Sequence, residues 1–450
     1  MLQMGGSRSV SVLLLLILLI TFFSVFQTKS VGAVTAITKG YRSIQEAIDM
    51  ANAGDTVFVE AGVYYEHLFV DKPLSLIGEN RETTVVDAGG TGTVVVVNSD
   101  NVTFRGFAVR NSGGGIVVDT AGIHLNYTHN CLIENNAFVD DAMLGVRIYF
   151  SHNATVRGNV ITRRSTNGGI LMQNSDYCTI RGNRITECGG IHLGNVNNSV
   201  IQYNNITANG YGITLGPVEN VTICGNTVAS NSQSGIAAGE WAKSSVVYHN
   251  NFNNEHQYTQ PGTLKWANGY PSGGNYWSNY NGSDRYSGSG QDLSGSDGIG
   301  DVHYGPDQYP LMRPWGTYAK IVTPSLNTEI KTANVTVEWE LVETDPGLNS
   351  YQVRLDGSQW VSAETATQFS LSDLRDGNHT VYVKTTDREG NSLITTTSFT
   401  VNTSPLGGPG YLEETILTIA VTAGLTIATE RLLLFSRKRR PKQTEPSKSP

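Results

Sequence analysis

Two histidines occupy equivalent positions in a Gly-Ile-x-Leu motif that recurs along this 450-residue chain. His124 and His192 each stand between an isoleucine and a leucine, so strand alternation should point both imidazoles outward. Imidazole is a common ligand of transition metals. Three repeats separate the two residues, which places them about 14 Å apart if each repeat is one rung of stacked strands. One ion therefore cannot bind both, and the alternative is two surface histidines.

One adjacent pair of carboxylates, Asp140-Asp141, lies among the repeats, and Arg147 follows it closely. Paired carboxylates can act as acid and base on a glycosidic bond, so these three residues are the candidate catalytic residues of a polysaccharide lyase, hydrolase or epimerase. The alternative is a solvated face of paired charges. Four charged residues share one outward repeat position, where they form either a site for a polyanionic sugar or a solvated face with Arg–Glu pairs: Arg105, Glu134, Arg157 and Arg181.

A glycine-rich stretch, DLSGSDGIGD, carries the aspartates Asp292, Asp297 and Asp301, and Asp284 and Asp307 flank it. Hard oxygen ligands at short spacing on a turning chain suit Ca²⁺. The spacing is not that of an EF-hand, because no glutamate follows at the twelfth position. The stretch is therefore either a calcium site of another kind or a set of plain loop carboxylates.

The composition restricts the fold that holds these residues. The chain has 49 glycines, 16% charged residues and a net charge of −8. These values disfavour disorder, and the negative charge gives no footprint for nucleic acid, so no nucleic-acid partner is expected. The four cysteines form no Cys-x-x-Cys pair, which disfavours zinc. Cys131 and Cys178 share an inward position two repeats apart, too far for a disulfide.

Internal repeats with a period of roughly 22 residues predict an all-β, right-handed parallel β-helix. Segments such as NATVRGNVI and YCTIRGNRI mark one strand of each rung, and the Gly-Ile-x-Leu motif marks another. Two series should stack inward: Ile133, Val156, Ile180, Ile201, Ile223 and Val247, and Ile123, Val146, Ile170, Ile191 and Ile213. Equivalent asparagines should hydrogen-bond from rung to rung at the corners: Asn136, Asn159, Asn183, Asn204, Asn226 and Asn250. Phe107 occupies the same repeat position in the first rung of this series.

The flanking segments predict caps and a second module. A short amphipathic helix from Ile44, N-capped by Ser43, should plug the first rung. An aromatic cluster should close the far end or, alternatively, stack on carbohydrate: Trp266, Tyr270, Tyr276, Trp277, Tyr280 and Tyr286. Alternating Thr- and Val-rich segments beyond it predict a small β-sandwich with Trp339 and Tyr382 in its core.

Both chain ends are apolar, and together they predict an exported, single-pass membrane protein. The N-terminal stretch resembles a signal peptide, and the alternative is an uncleaved anchor. The C-terminal stretch precedes Arg437-Lys438-Arg439-Arg440, which should keep the tail in the cytoplasm. The alternatives for this stretch are an amphipathic surface helix and a cleaved sorting signal. Ten Asn-x-Ser/Thr sequons lie between them and predict glycosylation: Asn101, Asn126, Asn153, Asn197, Asn205, Asn220, Asn281, Asn334, Asn378 and Asn402. The predicted segments are a signal peptide (1–33), a β-helix with its cap helix (34–255), a C-terminal cap (256–318), an immunoglobulin-like or fibronectin-like β-sandwich (319–403), a linker (404–414), a transmembrane anchor (415–436) and a basic tail (437–450).

The chain resembles the NosD-type β-helix proteins over roughly residues 40 to 312, in IQEAIDMANAGDTVFVEAGVYYE, the GN-centred repeats, GGNYWSNY, DGIGD and DQYPLM. The family name comes from a periplasmic protein that helps assemble a copper centre, and the fold group includes carbohydrate-binding proteins and sugar hydrolases. The resemblance therefore implies copper, for which His124 and His192 are the candidate ligands, but no His-x-His motif or Met-rich run is present.

The leading hypothesis is a membrane-anchored cell-surface β-helix that acts as a binding or structural module, with carbohydrate as its ligand. Its partners would be the membrane, cell-surface polysaccharide or other surface proteins. One alternative is a polysaccharide lyase, hydrolase or epimerase. The other is a copper-delivery accessory protein of the NosD type.

Overall fold

The structure is a computed structural model that describes residues 34–37, 42–113, 120–139, 144–162, 168–259, 263–342 and 347–404. These residues form two compact units. The first contains the chain up to Tyr318 with Val342–Ser350 and Thr385–Leu393, and the second contains Ala319–Leu341, Tyr351–Lys384 and the chain from Ile394. Within the described ranges no helix is long and apolar enough to cross a membrane. The predicted signal peptide, anchor and basic tail lie outside the described residues, as does the linker from residue 405 onward.

The first unit is a parallel β-solenoid, which confirms the predicted fold. Its described residues form three long parallel sheets of ten, ten and nine strands, here called sheets A, B and C. Sheet A stacks Val34–Ile37, Thr56–Val59, Ser75–Gly78, Thr103–Arg105, Leu132–Glu134, Thr155–Arg157, Thr179–Arg181, Val200–Gln202, Thr222–Cys224 and Val246–Tyr248. Sheet B stacks Gly62–Tyr65, Thr84–Asp87, Ala108–Arg110, Ala137–Val139, Val160–Thr162, Arg184–Thr186, Asn205–Thr207, Thr227–Ala229, Asn251–Asn253 and Tyr276–Trp277. Sheet C stacks Leu68–Val70, Val95–Val97, Ala121–Asn126, Leu144–Tyr149, Ile170–Gln173, Ile191–Gly194, Tyr211–Leu215, Ser234–Ala238 and Tyr258–Thr259.

Two smaller sheets complete the strands of this unit. One is a three-stranded ladder at a corner, made of Val196–Asn197, Val218–Glu219 and Ala242–Lys243. The other is an antiparallel pair, Tyr286–Ser287 with Leu293–Ser294. The corner ladder adds Val196, Val218 and Ala242 to the buried core of the solenoid, whereas the antiparallel pair is largely exposed.

The core is a stack of identical inward positions, as strand alternation predicts. Every residue of the two predicted inward series is fully buried, from Ile133 to Val247 in sheet A and from Ile123 to Ile213 in sheet C. Cys131 and Cys178 are also buried and free, and Ala154 stands between them in the stack. The spacing of the cysteines therefore agrees with the predicted absence of a disulfide between them.

Asparagines form the predicted ladder at the corner between sheets A and B. In each rung the backbone N–H and the side-chain Nδ2 of one asparagine donate to the Oδ1 of the next, as Asn183 does to Asn204 at 2.9 and 3.0 Å. The members are Asn136, Asn159, Asn183, Asn204, Asn226, Asn250 and Asn275. A second ladder was not predicted and runs through Asn209, Asn231, Asn254 and Gln257. The two ladders account for much of the asparagine in the repeats, because each satisfies buried backbone groups.

The helix Ile44–Met50 caps the first rungs. Ser43 Oγ accepts a hydrogen bond from the Glu46 backbone N–H at 3.0 Å, as the predicted N-cap requires. Ile44 and Ile48 are fully buried against the core. The Glu66 carboxylate accepts hydrogen bonds from the first two helical N–H groups, at 2.9 Å each, which the sequence did not reveal.

Aromatic side chains close the far end of the solenoid. Trp277 is buried and stacks on Phe252, with ring centroids 4.6 Å apart, and Trp266 packs beside it. Tyr270 and Tyr286 are exposed, so they take no part in this closure. The aromatic cluster therefore divides into a buried cap and an exposed remainder.

The later part of the chain forms a three-stranded and a five-stranded sheet. The first contains Tyr318–Thr323, Val335–Val342 and Gln368–Leu371. The second contains Thr328–Ile330, Leu348–Leu355, Val361–Glu364, Gly377–Asp387 and Ser392–Val401. Trp339 is buried against Tyr351, as predicted for the first of the two core residues. The prediction for Tyr382 is wrong, because Val381 and Val383 take the inward positions of its strand and leave Tyr382 half-buried under Arg354. The immunoglobulin-like assignment stays a prediction.

Candidate functional site

Three aromatic side chains form a cluster at the corner where sheet C leads to sheet A, here called the aromatic patch: Tyr127, Tyr149 and Phe150. Tyr127 and Phe150 lie in adjacent rungs and stack with centroids 5.0 Å apart and planes 3° from parallel. Tyr149 meets both rings edge-on, at 6.0 and 4.7 Å. Tyr127 is 62% exposed and Phe150 is 36% exposed. The patch therefore presents a preformed, partly exposed aromatic stack to solvent.

The backbone at this corner makes aromatic residues an unusual choice. Tyr127 and Phe150 have φ values of 55° and 45°, in the left-handed region that asparagine tolerates better than bulky residues do. The same corner position in the next two rungs holds Asn174 and Asn195, with φ values of 52° and 54°, and their side chains hydrogen-bond at 3.0 Å. In two rungs, therefore, an exposed aromatic residue adopts a backbone conformation that is less favourable for it than for asparagine, although the fold accepts asparagine at this position. Such backbone strain is typical of functional positions.

Polar groups border the aromatic patch. The Arg147 guanidinium lies over the Tyr149 ring, 4.7 Å from its centroid. Asn126 and Gln173 occupy the positions on either side of Tyr149 in the strands of the neighbouring rungs. Amide and guanidinium groups beside aromatic rings supply the donors and acceptors that orient a bound polar molecule.

A second outward column lies at the same corner and contains two histidines. The rings of His129 and His152 are in adjacent rungs, with centroids 5.3 Å apart. His129 Nδ1 lies 3.2 Å from an oxygen of Asp100. His152 Nδ1 accepts a hydrogen bond from the Asp176 backbone N–H at 3.1 Å. The lone pair of Nδ1 is therefore not available to bind a metal ion in this arrangement. Neither histidine was singled out from the sequence.

His124 and His192, the two histidines singled out from the sequence, are not in contact. In sheet C the register runs from His124 through Arg147 and Leu171 to His192, so two residues separate the imidazoles. Burial lowers the pKa of His192, because it disfavours the charged imidazolium. The predicted separation of three rungs agrees with this register.

Of the candidate catalytic residues, the described ranges include Arg147, while Asp140 and Asp141 lie outside them. The charged stripe of sheet A is paired: Glu134 lies 3.6 Å from Arg105 and 2.6 Å from Arg157. This pairing agrees with the solvated, charge-paired alternative for that face.

The aspartates predicted to bind calcium accept hydrogen bonds from groups of their own loop. Asp301 accepts hydrogen bonds from the backbone N–H groups of Arg285 and Tyr286 and from the Ser283 hydroxyl. These bonds contribute to lowering the pKa of Asp301. Asp297 accepts from the Ile299 N–H at 3.0 Å. Calcium binding by Asp292, Asp297 and Asp301 stays a prediction.

The donor groups do not fit a copper centre. The described ranges hold no group of three or more His, Cys, Asp or Glu side chains that could bind a metal ion. Burial raises the pKa of Cys131 and raises that of Cys178 to about 11, so both thiols are protonated at neutral pH. A thiolate, not a thiol, is the metal ligand.

The aromatic patch is the functional candidate that sequence reasoning missed. The signal was present, because the repeat position that is asparagine at 174 and 195 is aromatic at 127 and 150. It could have been found by aligning every corner position, rather than the Gly-Asn and Gly-Ile-x-Leu markers alone.

Comparison with known proteins identifies one family. The model of the family described as periplasmic copper-binding protein (NosD) matches residues 48–282, which is more than half of the chain. No curated protein matches the sequence.

Several solved structures are distantly similar. XylC in complex with xylose has 12% sequence identity and a TM-score of 0.40, over 52% of this chain and 68% of that chain. Pectate lyase Pel9A has 14% identity and a TM-score of 0.38, over 52% and 79%. An alginate lyase from Paenibacillus has 14% identity and a TM-score of 0.31, over 49% and 93%. At these values the substrates of those proteins carry no argument for this chain.

Proposed function

The chain belongs to the NosD family, and on that premise we propose that it is an extracytoplasmic β-helix protein that binds carbohydrate through the aromatic patch. The family's description as periplasmic supports the location. The observation that carries the binding proposal is the exposed stack of Tyr127 on Phe150.

Sugar rings suit this surface for a physical reason. One face of a pyranose ring is made of C–H groups, which pack on aromatic rings, while its edge carries hydroxyls that need hydrogen-bond partners. The patch provides the rings, and Gln173 and Arg147 lie beside them. A rigid solenoid fixes the groups before binding, so little ordering entropy is lost on association.

Membrane anchoring is part of the same proposal. Its support is the apolar segment 415–436, followed directly by four basic residues. We expect the full chain to resist extraction from membranes by alkaline carbonate, and a chain ending at Ser404 to be released. Release of the full chain would refute the anchor without affecting the binding proposal.

The binding experiment uses the full chain in detergent micelles on a glycan array, followed by calorimetry with the best ligand. Tyr127→Asn should lower the affinity at least tenfold, because asparagine suits the corner but offers no ring. Tyr177→Asn is the matched control. Tyr177 is also 62% exposed and has a φ of 58°, but it lies in a different corner column.

Two results would overturn the proposal. Equal losses in the two variants would show that the patch is not the site. Cleavage or epimerisation of the ligand by the wild-type chain, abolished in Asp140→Asn, would favour the alternative that the protein is a polysaccharide-modifying enzyme.

A further inference from the structure

A groove of about 630 Å³ lies where sheet A ends, on the far side of the solenoid from the cap helix. Its wall includes Lys265, Trp266, Asn268, Gln308 and Tyr309. We propose that this groove, here called the Lys265 groove, binds a uronate-bearing saccharide. The proposal rests on the proposed carbohydrate function and adds a second binding site, distinct from the aromatic patch, with its own chemical class of ligand.

Lys265 is held firmly in place by its backbone. Its N–H donates to the Ser245 carbonyl at 2.9 Å, and its carbonyl accepts from the Val247 N–H at 2.8 Å. These bonds continue sheet A by one residue pair beyond its last strand. The next residue, Trp266, is buried in the core and fixes the chain from the other side. The ammonium group is therefore carried by an anchored backbone rather than by a loose loop.

The groove is cationic in a chain of net charge −8. Its lining contains no acidic residue, and Lys265 forms no ion pair with any described residue. A second cation, Lys243, directly precedes Ser244 of the lining and lies 5.8 Å from the ring centroid of Trp241. Trp241 is 64% exposed.

Acidic neighbours do not neutralise this charge. Asp307 is adjacent in sequence to two lining residues, but it is fully buried and accepts hydrogen bonds from Asn275 and Trp277. Glu219 pairs in register with Lys243 on the exposed corner, beside the groove rather than in its lining. The exposed ammonium of Lys265 is therefore available to an external anion.

The other lining groups favour a sugar acid over a simple anion. The carboxamides of Asn268 and Gln308 can bind hydroxyls. The Tyr309 ring stands near that of exposed Tyr270, with centroids 6.4 Å apart. One unpaired ammonium, two carboxamides and an aromatic wall match a ring that carries hydroxyls and one carboxylate. A volume near 630 Å³ is within the usual range for a small-ligand site.

The test compares trigalacturonate with its fully methyl-esterified form, which keeps the sugar and removes the charge. We expect the full chain in detergent to bind the acid at least tenfold more tightly than the ester in calorimetry at low salt. Lys265→Gln should reduce this ratio to about one, and Lys265→Arg should preserve it. Added salt should weaken binding of the acid more than binding of the ester.

The outcomes separate the two proposals. An ester that binds as tightly as the acid, with Tyr127→Asn weakening both, would overturn the Lys265 groove and leave the aromatic patch in place. An acid preference that survives Lys265→Gln would also overturn the groove. A sulfated trisaccharide that replaces the uronate with equal affinity would show a general anion site and overturn the uronate assignment. Absence of binding to any glycan would refute both proposals.

Discussion

Asp307 ends the asparagine ladder by accepting two hydrogen bonds from Asn275. The backbone N–H of Asn275 donates to Asp307 Oδ2 at 2.8 Å, and its side-chain Nδ2 donates to the same oxygen at 3.3 Å. Trp277 Nε1 donates to this oxygen at 2.9 Å, and the Tyr309 N–H donates to the other. A carboxylate thus replaces the amide that the next rung would have supplied, at the point where the repeat stops.

Burial of this carboxyl predicts a pH-dependent stability. Burial raises the pKa of Asp307 to about 6 from 3.8, even though the donated hydrogen bonds lower it. A raised pKa means that the folded state holds the proton more tightly, so this contribution is fully present below about pH 4 and lost as the pH rises through 6. It amounts to at most about 3 kcal/mol. We expect the wild-type chain to lose more unfolding free energy between pH 4 and 7 than Asp307→Asn does, measured by urea unfolding. Parallel pH profiles would contradict this.

The interior of the ladder should be highly sensitive to truncation. Asn204→Ala would leave the backbone N–H and one side-chain N–H of Asn183 without an acceptor. It would also remove the two N–H groups of Asn204 Nδ2, which are shared among the Ile180 and Gln202 carbonyls and Asn226 Oδ1. Unsatisfied buried donors cost about 1–3 kcal/mol each, so we expect a loss of roughly 2–4 kcal/mol in urea unfolding. Gln202→Ala, at an outward position of the same rung, should stay within about 0.5 kcal/mol of wild type. Similar losses for both variants would show that the ladder has no special energetic role.

The glycine of the Gly-Ile-x-Leu motif is required by space. A Cβ on Gly212 would lie 2.2 Å from the Gly235 carbonyl oxygen and 2.5 Å from Val228. Gly212→Ala should therefore lower the unfolding free energy by about 1–3 kcal/mol through overpacking. Gly239→Ala is the control, because its nearest neighbour, the Leu215 carbonyl oxygen, would be 3.6 Å away. If the control variant unfolds as easily as Gly212→Ala, close packing is not the reason for the motif.

We expect the aromatic patch to lower the stability of the folded state. Replacing Tyr127 and Phe150 by asparagine would give both residues a side chain suited to their positive φ and would extend the hydrogen-bonded column of Asn174 and Asn195. We expect the double variant to gain about 0.5–1 kcal/mol in urea unfolding. A clear loss would mean that the aromatic stack stabilises the fold and needs no functional explanation.

Sequence reasoning predicted the solenoid because its signals are local and periodic. Ile133 and Val156 stack because each stands at the same place in a short alternating strand, and the repeat alone reveals that place. The aromatic patch depends instead on two residues in neighbouring rungs that follow strands of different sequence, so no single motif marks it. Tyr382 was misplaced because alternation in an isolated strand does not say which of its two faces is buried. The buried environment of Asp307, which sets its pKa, arises only when the cap folds back on the last rung.

The most direct test of the account uses one glycan, selected on the array with the wild-type chain. Its affinity is measured by calorimetry for the Tyr127→Asn/Phe150→Asn double variant and for the Tyr177→Asn control. The thermal unfolding of both variants is measured alongside. The account predicts that the double variant is folded and at least as stable as wild type, yet binds at least tenfold more weakly, while the control binds as wild type does. Full affinity in a folded double variant would contradict it.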